Sequence, residues 1–284
     1  MASIKNVLVP VDLSPFSVPM LKLSKMISEE SDAELRVVNI VEELMVRTFK
    51  QLDSAYYEGF EEKSTSILND LLQESGAANA KHTSEVVLGV PFMEILAKSN
   101  ENTPAELIVL GGMPSGGPYN LGRNAFSVVR MAPAHTLTVR KKAGRQTNGH
   151  IPMEKILVAV DFSAHSLDAL DYGILLKKAF KANLKVLQIV AEKDVTTIDD
   201  LKSKLKRHIP TDQYDAIDEV SVMVSNDAAR EILACSADDD NDLLVLGSHS
   251  KQRYFKNMFL GKVAYDVVRK ARCSVMVVKP QLEN

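Results

Sequence analysis

Residues 7–14 read VLVPVDLS and residues 156–163 read ILVAVDFS, so Asp12 falls on Asp161 and Ser14 on Ser163 at an offset of 149. The match continues downstream in the same order. Glu94-Ile95-Leu96-Ala97 recurs letter for letter at Glu231–Ala234, an offset of 137. LIVLG, ending at Gly111, recurs as LLVLG, ending at Gly247, and Val128-Val129-Arg130 recurs as Val267-Val268-Arg269. Ordered matches with slowly drifting offsets indicate a duplicated domain with insertions in its loops. The period is a whole domain and not the unit of a solenoid, whose repeats run roughly 20–50 residues.

Each copy alternates strand and helix patterns. Val7-Leu8-Val9 is apolar throughout, as expected of a strand covered on both faces. Ser14-Pro15 predicts a helix N-cap with proline at the first helical position, and Ser163 the matching cap. Met20, Leu23 and Ile27 follow at helical spacing, as do Ala169, Tyr172 and Leu176 in the second half. Further strands are expected at Leu35–Val41, Ser84–Leu88, Leu107–Leu110 and Thr136–Val139, with helices at about Glu58–Glu74, Pro91–Ser99 and Leu121–Met131. The second half predicts strands at Ile156–Val160, Leu184–Val190, Val220–Val224, Leu243–Leu246 and Val275–Val278. Such alternation predicts an α/β fold with parallel sheets and right-handed crossovers. Arg140–Glu154, RKKAGRQTNGHIPME, is polar and aperiodic and reads as a solvated linker, dividing the chain into domains 1–142 and 153–284.

Composition narrows the class. The 284 residues are 45% hydrophobic and 25% charged, enough apolar surface for packed cores. No apolar run reaches the roughly 18 residues needed to span a bilayer, and an acidic residue arrives too early for a secretory signal. Cys235 and Cys273 are too few for a disulfide framework, so a cytoplasmic location is expected. A formal charge of -3 gives no overall electrostatic footprint for nucleic acid.

In a doubly wound sheet, ligands bind at the carboxyl ends of strands, where the strand order reverses. Two features of each half belong there. One is the aspartate after the first strand, Asp12 or Asp161. The other is the glycine segment after the fourth, GGMPSGGPYNLGR from Gly111 and GSHSKQRYFKNMFLGK from Gly247. A glycine turn leading into a helix offers backbone N–H groups and a positive dipole end to phosphate, although glycines also serve plain turns. Neither segment is a G-x-x-x-x-G-K-[ST] loop, and no G-x-G-x-x-G follows the first strand.

The strand ending in P-V-D-x-S, Gly89-Val90-Pro91 before a helix, LIVLG, the glycine loop and the closing V-V-R-x-A-P helix together resemble the universal stress protein family, once per half. The resemblance implies two tandem Rossmann-like or flavodoxin-like five-stranded domains, doubly wound. It also implies that the last strands, Thr136–Val139 and Val275–Val278, pair to make a pseudo-dimer within the chain, with a homodimer as a further option. That pairing satisfies two sheet edges. Some members of the family bind ATP through G-x2-G-x9-G-[ST] together with the first-strand aspartate and a backbone contact at the end of the second strand. Carried onto this chain, those positions are Asp161, Ile189, Gly247, His249, Ser250, Gly261 and Lys262 in the second half. In the first half they are Asp12, Ile40, Gly111 and Gly122. Neither half keeps the glycine motif. Ser250 replaces a glycine and Gly261-Lys262 replaces Gly-Ser, whereas Pro114 in the first half also removes an N–H. Lys262 is a compensating point charge for phosphate, which makes the second half the better candidate.

Other residues read more plainly. Ser14 and Ser163 lie outside any G-x-S-x-G, and no nucleophile–base–orienter set emerges, so no catalytic residue is predicted. Histidines and cysteines show no metal spacing, and Asp238-Asp239-Asp240 reads as a solvated loop. The first half is longer between Asp12 and Gly111, with the excess placed in Glu42–Phe60, either an extended helix or a partner surface. The expected function is a cytoplasmic stress-response protein that acts by binding ligands or protein partners, without membrane or nucleic-acid contacts. One alternative is an ATP-binding switch, with Mg²⁺ only alongside ATP and slow hydrolysis as an option. The other is an interaction scaffold that has lost nucleotide binding.

Overall fold

The computed structural model describes residues 2–42, 59–112, 121–141, 150–193, 197–248 and 260–280. Most of the Glu42–Phe60 segment therefore lies outside the described residues, as do His249, Ser250 and Pro114.

The first half contains β1 (Asn6–Val11), α1 (Ser17–Ser31), β2 (Glu34–Glu42), α2 (Phe60–Ser75), β3 (His82–Gly89), α3 (Pro91–Ser99), β4 (Leu107–Gly111), α4 (Arg123–Met131) and β5 (His135–Val139). The second contains β6 (Lys155–Val160), α5 (Ala164–Phe180), β7 (Asn183–Val190), α6 (Ile198–His208), α7 (Thr211–Asp215), β8 (Glu219–Val224), α8 (Ala228–Asp238), β9 (Leu243–Gly247), α9 (Lys262–Lys270) and β10 (Ser274–Val278). All ten strands expected from the sequence are present. They form one sheet in the order β3-β2-β1-β4-β5-β10-β9-β6-β7-β8. Neighbours within each half run parallel, and β5 and β10 pair antiparallel, Val275 opposite Thr138 and Met276 opposite Leu137. The tandem halves thus make a pseudo-dimer inside one chain.

Alternating strand residues feed two apolar layers, one on each face, and each layer runs through both halves. One packs Val7, Val9, Leu137, Ile156, Val158 and Met276 under α1 and α5. The other packs Leu8, Ile108, Leu157, Leu244, Val275 and Val277 under α4 and α9. Met20, Leu23 and Ile27, and Ala169, Tyr172 and Leu176, are all buried, as their spacing predicts.

Three expectations need correction. Ser163 does cap α5, accepting from the Ser166 N–H at 3.3 Å, but Ser14 caps nothing. Its hydroxyl has no hydrogen-bond partner among the described residues, and α1 begins only at Ser17. The reason is a turn closed by Ser17 N–H to Ser14 C=O at 2.9 Å, in which Pro15 occupies the second position that proline favours. The solvated linker is corrected at both ends. Arg140 is buried, its guanidinium donating to the Val268 and Ala271 carbonyls at the carboxyl end of α9. Ile151 and Met153 join the core under α5. Asp239 is not simply solvated either. It holds Lys185 at 2.8 Å, and that ammonium lowers its pKa.

Candidate functional site

The strand order reverses between β6 and β9, and the carboxyl ends of these strands open onto a pocket of about 110 Å³. Its walls are apolar: Ala159 and Val160 from β6, Leu187 and Ile189 from β7, Ala228 and Ile232 from α8, and Leu246 from β9. Asp161, Gly247, Ser248, Gly261 and Lys262 complete the lining.

Asp161 is fixed by its neighbours. Its Oδ1 accepts from the Ser163 N–H at 2.9 Å and from the Ser163 hydroxyl at 2.5 Å. This turn drives Phe162 into the left-handed region at φ 57. The first half repeats the device: Ser14 N–H donates to Asp12 Oδ1 at 3.0 Å, and Leu13 has φ 60. Non-glycine residues take this conformation at a cost of roughly 1–2 kcal/mol, so the loop holds the aspartate at the expense of backbone strain.

Gly247 ends β9 where the chain leaves no room for a side chain. A Cβ there would sit 2.9 Å from the His165 carbonyl oxygen at the start of α5. Ser248 is fully buried and donates its N–H to the Val278 C=O at 2.8 Å, and its own carbonyl accepts from the Gly261 N–H at 2.7 Å. The two ends of the intervening loop are therefore pinned together. Gly261 is the N-cap of α9, which has no side-chain cap and no acidic residue in its first turn. Gly261, Lys262, Val263 and Ala264 line the pocket, so the positive end of the helix opens onto it, and Lys262 is exposed there.

Five of the seven positions picked out in the second half, Asp161, Ile189, Gly247, Gly261 and Lys262, thus surround one pocket. His249 and Ser250 lie outside the described residues. In the first half, Asp12 follows β1, Ile40 lies on β2, Gly111 ends β4 and Gly122 is the N-cap of α4. A Cβ on Gly111 would be 3.6 Å from Met20 and Phe16, so this copy is packed less tightly than its counterpart at Gly247. Sequence reasoning missed Ala228 and Ile232, one helical turn apart on α8, because small and aliphatic residues carry no chemical signature.

Among the described residues, no group of three or more His, Cys, Asp or Glu is placed to hold a metal ion. Cys273 is buried, and burial followed by the Asp239 hydrogen bond pushes the Cys235 thiol up to about 11. No helix among the described residues is long and apolar enough to cross a membrane.

The model of the universal stress protein family matches residues 3–140 and again 153–279. The chain belongs to the universal stress protein family. A universal stress protein of Bacillus subtilis, YxiE, is 27% identical over 146 residues, 44% of this chain and 98% of that protein. Over the full tandem length, the chain is similar to a universal stress protein structure from Archaeoglobus fulgidus, with 20% identity and a TM-score of 0.67. That match covers 96% of this chain and 98% of the other. A Pseudomonas aeruginosa PAO1 structure has 18% identity and a TM-score of 0.69, covering 98% and 93%. At these identities the structural matches establish the fold, and the family match supplies the tandem universal stress protein architecture.

Proposed function

We propose that this universal stress protein acts in the cytoplasm by reversible binding and not by catalysis, and that its second half takes an adenine nucleotide. The observation that carries the reading is the convergence of Asp161, Ile189, Gly247, Gly261 and Lys262 on one pocket beside the uncapped start of α9. The apolar walls suit a planar base, with Asp161 as a hydrogen-bond acceptor at its edge. The helix N-terminus and Lys262 suit phosphate. The pocket is smaller than the roughly 300–1,000 Å³ typical of small-molecule sites, so the triphosphate would extend outward over α9. Any Mg²⁺ would arrive with ATP. Nucleotide occupancy would then act in stress tolerance by altering what the chain binds.

Isothermal titration of the full chain with ATP, with and without Mg²⁺, tests the reading. Saturable heat that weakens several-fold in Lys262→Ala is expected. No heat at high protein concentration removes the nucleotide and leaves the scaffold reading.

A further inference from the structure

The helices α4 and α9 carry the same stripe. Arg123, Phe126 and Arg130 stand at i, i+3 and i+7 on α4, and Lys262, Tyr265 and Arg269 repeat that spacing on α9. Both helices cover the same face of the sheet, so the two stripes meet where the halves join. The Phe126 and Tyr265 rings touch edge to face, centroids 5.3 Å apart. The guanidinium carbons of Arg130 and Arg269 each lie 6.0 Å from the Phe126 ring, and Arg269 also donates to the Tyr265 hydroxyl at 3.0 Å. Arg123, Arg130, Lys262 and Arg269 are exposed, and among the described residues no carboxylate pairs with any of them. Some basic side chains elsewhere are matched instead: Lys98 meets Glu85 and Glu101, and Lys185 meets Glu219 and Asp239. In a chain of net charge -3, these four exposed cations on two adjoining helices make a locally positive surface. Met131, next to Arg130 in the chain, is 47% exposed.

We propose that this paired stripe docks an acidic, partly apolar segment of another protein, with Arg130 and Arg269 taking its carboxylates and Met131 its apolar side chain. Guanidinium groups restrained by aromatic rings lose less freedom on pairing with a carboxylate than free ones do. The aromatic rings are engaged with each other and with the arginines, which leaves little face for stacked bases. The negative remainder of the chain opposes an extended polyanion such as duplex DNA or an anionic membrane. A short acidic segment meets neither obstacle. The proposal does not rest on the nucleotide reading, and its test leaves Lys262 intact.

Fluorescence anisotropy of the full chain with a short, fluorescein-labelled, glutamate-rich peptide carrying one leucine provides the test. Binding that weakens with salt is expected, falling about tenfold in Arg130→Glu/Arg269→Glu and little in the exposed control Lys202→Glu/Arg207→Glu. Circular dichroism melts establish that each variant folds. If the charge reversal does not fold, Arg130→Gln/Arg269→Gln replaces it, with a smaller loss expected. The proposal is overturned by an absence of peptide binding, by equal loss in the control pair, or by undiminished binding after the stripe is changed. Tighter stripe-dependent binding of a single-stranded oligonucleotide or of phosphatidylserine vesicles overturns it in favour of that partner.

Discussion

His135 provides a pH-sensitive tie between the two halves. It sits on β5, its Nε2 lies 2.8 Å from the Tyr172 hydroxyl on α5, and its Nδ1 accepts the Lys279 N–H at 3.0 Å. Because Nδ1 is an acceptor, the neutral ring carries its proton on Nε2 and donates it to Tyr172. Burial, followed by the charge of Lys279, lowers its pKa from 6.5 to about 4. The folded chain therefore binds fewer protons than the unfolded chain between those two values, and stability falls as the pH drops through that window. A fall from 6.5 to about 4, at about 1.4 kcal/mol per tenfold in proton affinity, amounts to about 3 kcal/mol. That is a large share of the roughly 5–15 kcal/mol that holds a typical protein folded. His135→Ser is the informative variant. Its counterpart across the pseudo-dyad, Ser274, already accepts the Arg140 N–H at 3.1 Å in the equivalent bond. Urea unfolding of parent and variant at a series of pH values gives the difference directly. The parent should lose about 3 kcal/mol more than His135→Ser between pH 6.5 and 4. Parallel curves would refute the assignment of this acid sensitivity to His135.

Three further outcomes follow from the packing. Gly247→Ala should destabilise by about 1–3 kcal/mol because its Cβ meets backbone, whereas Gly111→Ala should change stability by less than about 0.5 kcal/mol; thermal melts distinguish the two. Thr197 caps α6 in a reciprocal box with Asp200, so Thr197→Ala should cost about 1 kcal/mol by urea denaturation, and a neutral result would remove the cap's role. A fragment of residues 1–141 should self-associate through the β5 edge that β10 covers in the whole chain, and a monomer in sedimentation would contradict this.

The duplication made most of the fold legible. Val-rich runs in matching order located every strand, and the sequence resemblance paired β5 with β10. What escaped was anything decided by distant neighbours. Ser14 and Ser163 occupy matching positions in the repeat, yet only Ser163 caps, because the turn around Pro15 delays α1. Arg140 begins a basic run that resembles a wet linker, and only the approach of α9, more than a hundred residues later, shows that it is buried. The pocket was half visible. Its glycines, aspartate and lysine carry chemistry that a sequence displays, while Ala228 and Ile232 contribute only shape. The stripe on α4 and α9 was present as helical spacing, but its positive character appears only once two helices 139 residues apart meet.

The junction between β5 and β10 also bears on how the chain diverged. In a pair of identical subunits, a strand crossing its own copy must suit itself, and any substitution there appears twice. Here His135 serves Lys279 while Ser274 serves Arg140, two different solutions on the two sides of one axis. A single gene carrying both strands can alter one partner while preserving the other. Duplication in tandem therefore released the joint from self-recognition and left each copy free to specialise.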